Sequence, residues 1–128
     1  VIIFDTNVWV AFFNANDSQH KKAQRAILHS RETIIIPEYV IVETTTVLSV
    51  KASKAIANQF LDAIQSNVDV QIMLMNEQRF IGTVELFRIV LDGTLSFVDT
   101  HLLWLHQYHP VVTFDQELQQ ALQDKDGD

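Results

Sequence analysis

The apolar positions of this chain fall into short continuous runs separated by longer segments of helical period. VIIF (1–4) and VVTF (111–114) read as buried strands, TIII (33–36) as a second short strand closed by Pro37, and VQIML (70–74) alternates like a strand or begins one. Amphipathic stretches lie between them. Residues 7–13 are apolar and aromatic. Asp17 or Ser18 is placed to cap a helix over HKKAQRAILHS, with Ala23, Ala26 and Ile27 inward and Lys21, Lys22 and Arg25 outward. The segment YVIVETTTVLSV (39–50) has the β-branched content of a strand, but its length and the preceding Pro37 suit a helix, which is the reading taken. Ser53 caps a helix with Ile56, Phe60, Ala63 and Ile64 on one face. Residues 76–91 carry Phe80, Val84, Phe87 and Leu91 at helical spacing, with Gly93 beyond them where a left-handed cap is wanted. Ser96 opens a further helix, Pro110 ends it before the last strand, and Asp115 starts a short final helix.

The order βαα, βαα, βαα, βα predicts a parallel sheet covered on both faces. A length of 128 residues with 48% apolar content suits a single domain over the whole chain. No internal repeat, low-complexity stretch or interdomain linker interrupts it. No apolar run reaches the roughly 18 residues of a bilayer span, and VIIF is too short for a signal-peptide core. With no Cys there is no disulfide framework. The expectation is a cytoplasmic protein without a membrane partner.

A formal charge of −7 is unfavourable for a chain that binds nucleic acid, since phosphate affinity comes from Lys and Arg. Part of it sits in the final DKDGD, expected to be a frayed tail away from any site. Two divalent ions held by the candidate carboxylates would bring the formal charge to about −3. An acidic chain also suits a basic partner.

Chemistry enters at the strand ends, where parallel α/β sheets bind their ligands. VIIFDTN and VVTFD share one layout, a buried run followed by Asp5 or Asp115 where the strand yields to a helix. Asp99 also lies at a helix start. Convergent anions repel and need a cation, and oxygen-only ligands select Mg²⁺ or Mn²⁺. Each Asp has an ordinary alternative as a helix cap, and Ser96 with Asp99 forms a ready capping box. Glu43 stands inside an apolar run, where a carboxylate is costly to bury without a partner; its alternative is an exposed position on an amphipathic helix.

Other chemistries are disfavoured. The three glycines form no phosphate-binding loop. His106 and His109 lack clustered soft ligands for zinc. There is no cysteine nucleophile and no GxSxG elbow. A receiver or haloacid-type phosphatase also places acids at strand ends, but the latter needs a second Asp where Asn7 stands.

These motifs, taken in order, resemble the PIN domains, in particular the VapC-like toxin ribonucleases. IIFDTNVWV matches the opening strand with its Asp, and PEYVIVETTTVL the mid-chain helix with its early Glu. LSFVDTHLLWL matches the late motif with Ser96 and Asp99, and VVTFDQEL the closing strand with Thr113 and Asp115. Thr100 departs from the small Ala common there. Glu117 stands where some relatives have another acid, and it also suits first-turn helix charge. The resemblance spans essentially the whole chain and implies a PIN-like α/β/α sandwich with a central, mostly parallel sheet of four or five short strands. It implies a metal-dependent endoribonuclease with Asp5, Glu43, Asp99 and Asp115 as catalytic metal ligands for Mg²⁺ or Mn²⁺. Thr6 and Ser96 would support them from behind, with Thr113 the less favoured third, against an ordinary role in turns and caps. Asn7, Lys21, Lys22 and Arg25, with Lys51 and Lys54, are candidate RNA contacts. The same resemblance implies an RNA substrate, a small antitoxin protein and a homodimer, to which the aromatic excess of Trp9, Phe12 and Phe13 adds a hint. The alternative is a catalytically silent PIN-like module that recruits RNA or a protein.

Overall fold

A computed structural model describes residues 1–91 and 93–127. The elements are β1 (Ile2–Phe4), α1 (Thr6–Phe13), α2 (His20–Leu28), β2 (Ile34–Pro37), α3 (Glu38–Lys51) and α4 (Lys54–Ser66). They continue as β3 (Val70–Met73), α5 (Glu77–Ile89), α6 (Phe97–Leu105), β4 (Val111–Val112) and α7 (Gln116–Asp126). The four strands form one parallel sheet in the order β3-β2-β1-β4. Ile3 pairs with Ile35 on one side and with Val111 on the other. The chain therefore steps outward from β1 through β2 to β3, then crosses back to place β4 on the opposite flank. That reversal is a topological switch point between β1 and β4, and it opens a crevice at their carboxyl ends.

Buried Ile, Val and Phe side chains explain why such short strands hold. Ile3, Phe4 and Ile36 are almost wholly excluded from solvent, as expected of strands covered on both faces. The β-branched segment after Pro37 is helical. The hydroxyls of Thr45, Thr46 and Ser49 turn back on the helix itself, for example Thr45 Oγ1 to the Ile41 carbonyl at 2.7 Å and Ser49 Oγ to the Thr45 carbonyl at 2.8 Å, so these three need no partner outside it. Ser53 caps α4 by accepting the Ile56 N–H at 3.0 Å.

Several expectations need correction. The aromatic residues of α1 do not form a free patch. Trp9 is buried edge-on against Phe4 and Phe60, with ring centroids 6.2 and 5.8 Å apart, and Phe12 and Phe13 pack half-buried on the core. A group of exposed apolar side chains lies instead on and just after α5. Phe80, Phe87 and Leu91 are exposed while Thr83 is buried, so the phenylalanine stripe does not face the core. It meets Phe97 of α6, whose ring centre is 5.5 Å from that of Phe87. Gly93 supplies no left-handed cap, since no glycine among the described residues has positive φ; Val90 ends α5 in extended backbone. Gln19, rather than Asp17 or Ser18, is the N-cap position of α2, and it makes no side-chain cap bond. The acidic tail is not frayed through Asp126, which belongs to α7 and lies 2.8 Å from Nε2 of His106.

Candidate active site

Asp5 ends β1 at the switch point and caps α1, so one residue closes the strand, opens the helix and points its carboxylate into the crevice. The side chain is buried. Oδ1 accepts the Thr6 N–H at 2.6 Å, and Oδ2 accepts the Thr113 hydroxyl at 2.7 Å and the Asn7 amide at 3.3 Å. Burial pushes its pKa up to about 6; the Thr113 and Thr6 hydrogen bonds oppose the rise, and the charges of Asp99 and Glu43 add to it.

Thr113 and Asn7 tie this carboxylate to β4. The buried Thr113 hydroxyl also accepts Asn7 Nδ2 and the Asp115 N–H, each at 3.1 Å. Asn7 Oδ1 accepts the Phe114 N–H at 3.1 Å. Asn7 is thus committed to internal bonds that fix two strand ends together. Thr113, the less favoured support residue from sequence, is the hub of the network.

The other three carboxylates face the same cavity, of about 470 Å³, which Asp5, Glu43, Asp99 and Asp115 all line. Asp99 is held by a complete capping box: its Oδ2 accepts the Ser96 N–H at 3.1 Å while Ser96 Oγ accepts the Asp99 N–H at 3.0 Å. The Ser96 hydroxyl therefore orients Asp99 by way of its backbone. Asp115 caps α7 and accepts the Leu118 N–H at 3.4 Å. Glu43 is exposed, so the cost of burial gives no reason to assign it a ligand; its place on the cavity wall does.

Lys51 also lines this cavity, whereas Lys21, Lys22 and Arg25 do not. Glu43, Val47 and Lys51 recur every four residues along α3 and share a face, a signal readable in the sequence. Lys22 instead lies over the ring of Phe114, 4.7 Å from its centre. Sequence reasoning did not find Phe114, Asp17 or Gln19 as lining residues. The last two lie in the turn before α2, which no periodic pattern places.

The sequence model of the PIN domain matches residues 2–122. The chain belongs to the PIN-domain family. No curated protein is a significant sequence match. Among solved structures, this PIN domain is similar to Mycobacterium tuberculosis VapC20, a toxin that cleaves the sarcin–ricin loop. The TM-score is 0.85 at 22% identity, over 94% of this chain and 95% of that one. It is also similar to VapBC2 from Rickettsia felis, crystallised with a DNA fragment from its promoter. There the TM-score is 0.63 at 17% identity, over 94% and 92% of the two chains. At these identities the likeness establishes the fold, an α/β PIN-like architecture with a four-stranded parallel sheet.

Whether the residues of this PIN domain suit a divalent ion rests on their donor chemistry. Four carboxylates around one cavity offer the all-oxygen set that hard cations select. Thr6 Oγ1, on the same wall, is buried with no hydrogen-bond partner, as suits a hydroxyl kept for a ligand or its water. The donor types fit. Among the described residues no three acidic or imidazole groups stand close enough to hold an ion as placed.

Proposed function

We propose that this PIN domain is a Mg²⁺- or Mn²⁺-dependent endoribonuclease, with Asp5, Glu43, Asp99 and Asp115 as the metal-binding carboxylates. The observation that carries this reading is the convergence of all four acids on one cavity at the switch point of the sheet. When bound, the ion lowers the pKa of a water and offsets charge growing on the phosphate. The chain's own part is to hold the ligands. Thr113 and the Thr6 N–H orient Asp5, Ser96 orients Asp99, and Lys51 places a positive charge on the wall where the RNA backbone would run.

The biological reading is the toxin of a toxin–antitoxin pair in the cytoplasm. The PIN family membership and the toxin structures that share the fold support it. Among the described residues no helix is long and apolar enough to cross a membrane. Exposed Phe80, Ile81, Phe87 and Ile89 on α5 suit a protein partner, such as a small antitoxin or a second copy of the chain.

Purified protein should cut RNA when Mg²⁺ or Mn²⁺ is present and stop when it is chelated. Asp5→Asn should abolish cutting with the fold retained. Undiminished cleavage by that variant sinks the site assignment. The spread of the carboxylates favours a second reading, a silent module that binds without cutting. That reading prevails if calorimetry detects no divalent ion bound by the wild type.

A further inference from the structure

Phe114 is the one aromatic residue among the described residues that line the carboxylate cavity. Its ring is half-buried, partly packed on the core and partly facing the cavity. The backbone that carries it is fixed on every side. Asn7 Oδ1 accepts its N–H at 3.1 Å, the Thr113 carbonyl before it accepts Gln119 Nε2 at 2.7 Å, and the Asp115 N–H after it donates to Thr113 Oγ1 at 3.1 Å. A ring held this way is ordered before any ligand arrives, so little freedom is lost on binding. Above it lies the ammonium of Lys22, on an otherwise exposed side chain of α2. The ammonium covers that ring face, but it rides on a long, solvent-exposed stem that can swing away and free the face for an incoming group.

We propose that Phe114 and Lys22 form a nucleobase subsite, in which one unpaired base of an RNA strand stacks on the Phe114 ring while Lys22 moves aside to the adjoining phosphate. The proposal rests on the nuclease reading only for the position of the scissile phosphate, beside Asp115 in the same cavity. Stacking needs a free π face, which each of the four bases has and a paired helix hides. The subsite therefore selects single-stranded or looped RNA over duplex, with little preference for base identity. Lysine suits the exchange because an ammonium on a long flexible stem can trade a ring face for a phosphate oxygen.

The test is binding of a short RNA carrying 2-aminopurine, whose fluorescence falls on stacking, to the non-cutting Asp5→Asn protein. The expected result is quenching with the single strand and none with the duplex. Adding Phe114→Leu should remove the quenching and weaken binding about tenfold, whereas adding Phe114→Trp should keep both. Lys22→Ala, on the surface, should keep the quenching and flatten the salt dependence of binding. Equal quenching with and without Phe114→Leu overturns the proposal, as does a parent protein that binds the RNA without quenching or does not bind it. A protein that stacks the base but never cuts RNA loses the nuclease reading and keeps the subsite. One whose cutting depends on Asp5 but whose stacking ignores Phe114 does the reverse.

Discussion

The hydroxyl of Thr113 donates a 2.7 Å hydrogen bond to Oδ2 of Asp5, joining residues 108 positions apart in sequence. It ties the ends of β4 and β1 at the switch point, and it also serves Asn7 and the Asp115 N–H. Replacing Thr113 with Val keeps the shape and deletes every one of these bonds. We expect Thr113→Val to cost about 1–3 kcal/mol of stability and roughly 10- to 100-fold in metal affinity or cleavage. Thr113→Ser should restore most of both. Calorimetric titration with Mn²⁺ and urea unfolding check this, and a Val variant indistinguishable from wild type refutes it.

Burial raises Asp5 from its ordinary 3.8 to about 6. Between those values the folded protein keeps a proton that the unfolded chain has released. This contribution to stability is full below the unfolded pKa and is lost as pH rises through 6. Asp5→Asn removes that slope. Relative to wild type, the chelator-treated variant should gain on the order of 3 kcal/mol between about pH 4 and pH 8, read by urea unfolding at the two pH values. A bound divalent ion opposes the trend, because it takes the ionised carboxylate. A stability difference between variant and wild type that does not change with pH counts against the assignment.

His101 is displaced the opposite way, from 6.5 down to about 4, chiefly by burial and then by the charge of Arg79. Its Nδ1 lies 2.8 Å from Thr83 Oγ1, which itself donates to the Arg79 carbonyl at 2.8 Å. Stability from this group is present above pH 6.5 and lost as pH falls through 4. Asp5 and His101 therefore oppose one another in nearly the same acid window. NMR of the imidazole should show His101 neutral down to about pH 5. An imidazole that gains its proton near pH 6.5 would contradict the burial argument.

Gly82 lets α5 approach α6 closely. A β-carbon at this position would overlap the indole nitrogen of Trp104. Alanine is the better helix former by about 1 kcal/mol, but here the clash should dominate. We expect Gly82→Ala to lower stability by about 1–3 kcal/mol, seen as a drop in Tm by circular dichroism, with cleavage at low temperature retained. A rise in Tm would show that Trp104 moves aside without cost.

β1 and β2 were legible because they are largely buried and read as unbroken Ile and Phe runs, whereas the edge strand β3, with Gln71 and Ile72 exposed, showed itself only by alternation. Asp5 and Asp115 were legible because each follows such a run. The pairing of those runs was not, since nothing in VVTF says that it returns to flank VIIF and not TIII. Thr113 was undervalued for that reason: its role exists only once β4 lies against β1. The face of α5 was misjudged because Phe80 and Phe87 have the spacing of a core stripe, and periodicity cannot tell a stripe facing the core from one shared between a neighbouring helix and solvent. Glu43 reached the cavity for a reason different from the one its apolar neighbours suggested. Those neighbours include Val42, itself 60% exposed.

The adjacency of β1 and β4 also has a bearing on when the site can exist. During synthesis Thr113 and Asp115 leave the ribosome more than a hundred residues after Asp5. Until then the first carboxylate has neither its orienting hydroxyl nor the strand that forms the far side of the crevice. A chain whose finished fold attacked RNA would lack a complete site until β4 had emerged and paired with β1. The delay follows from pairing the first strand with one that lies more than a hundred residues further along the chain.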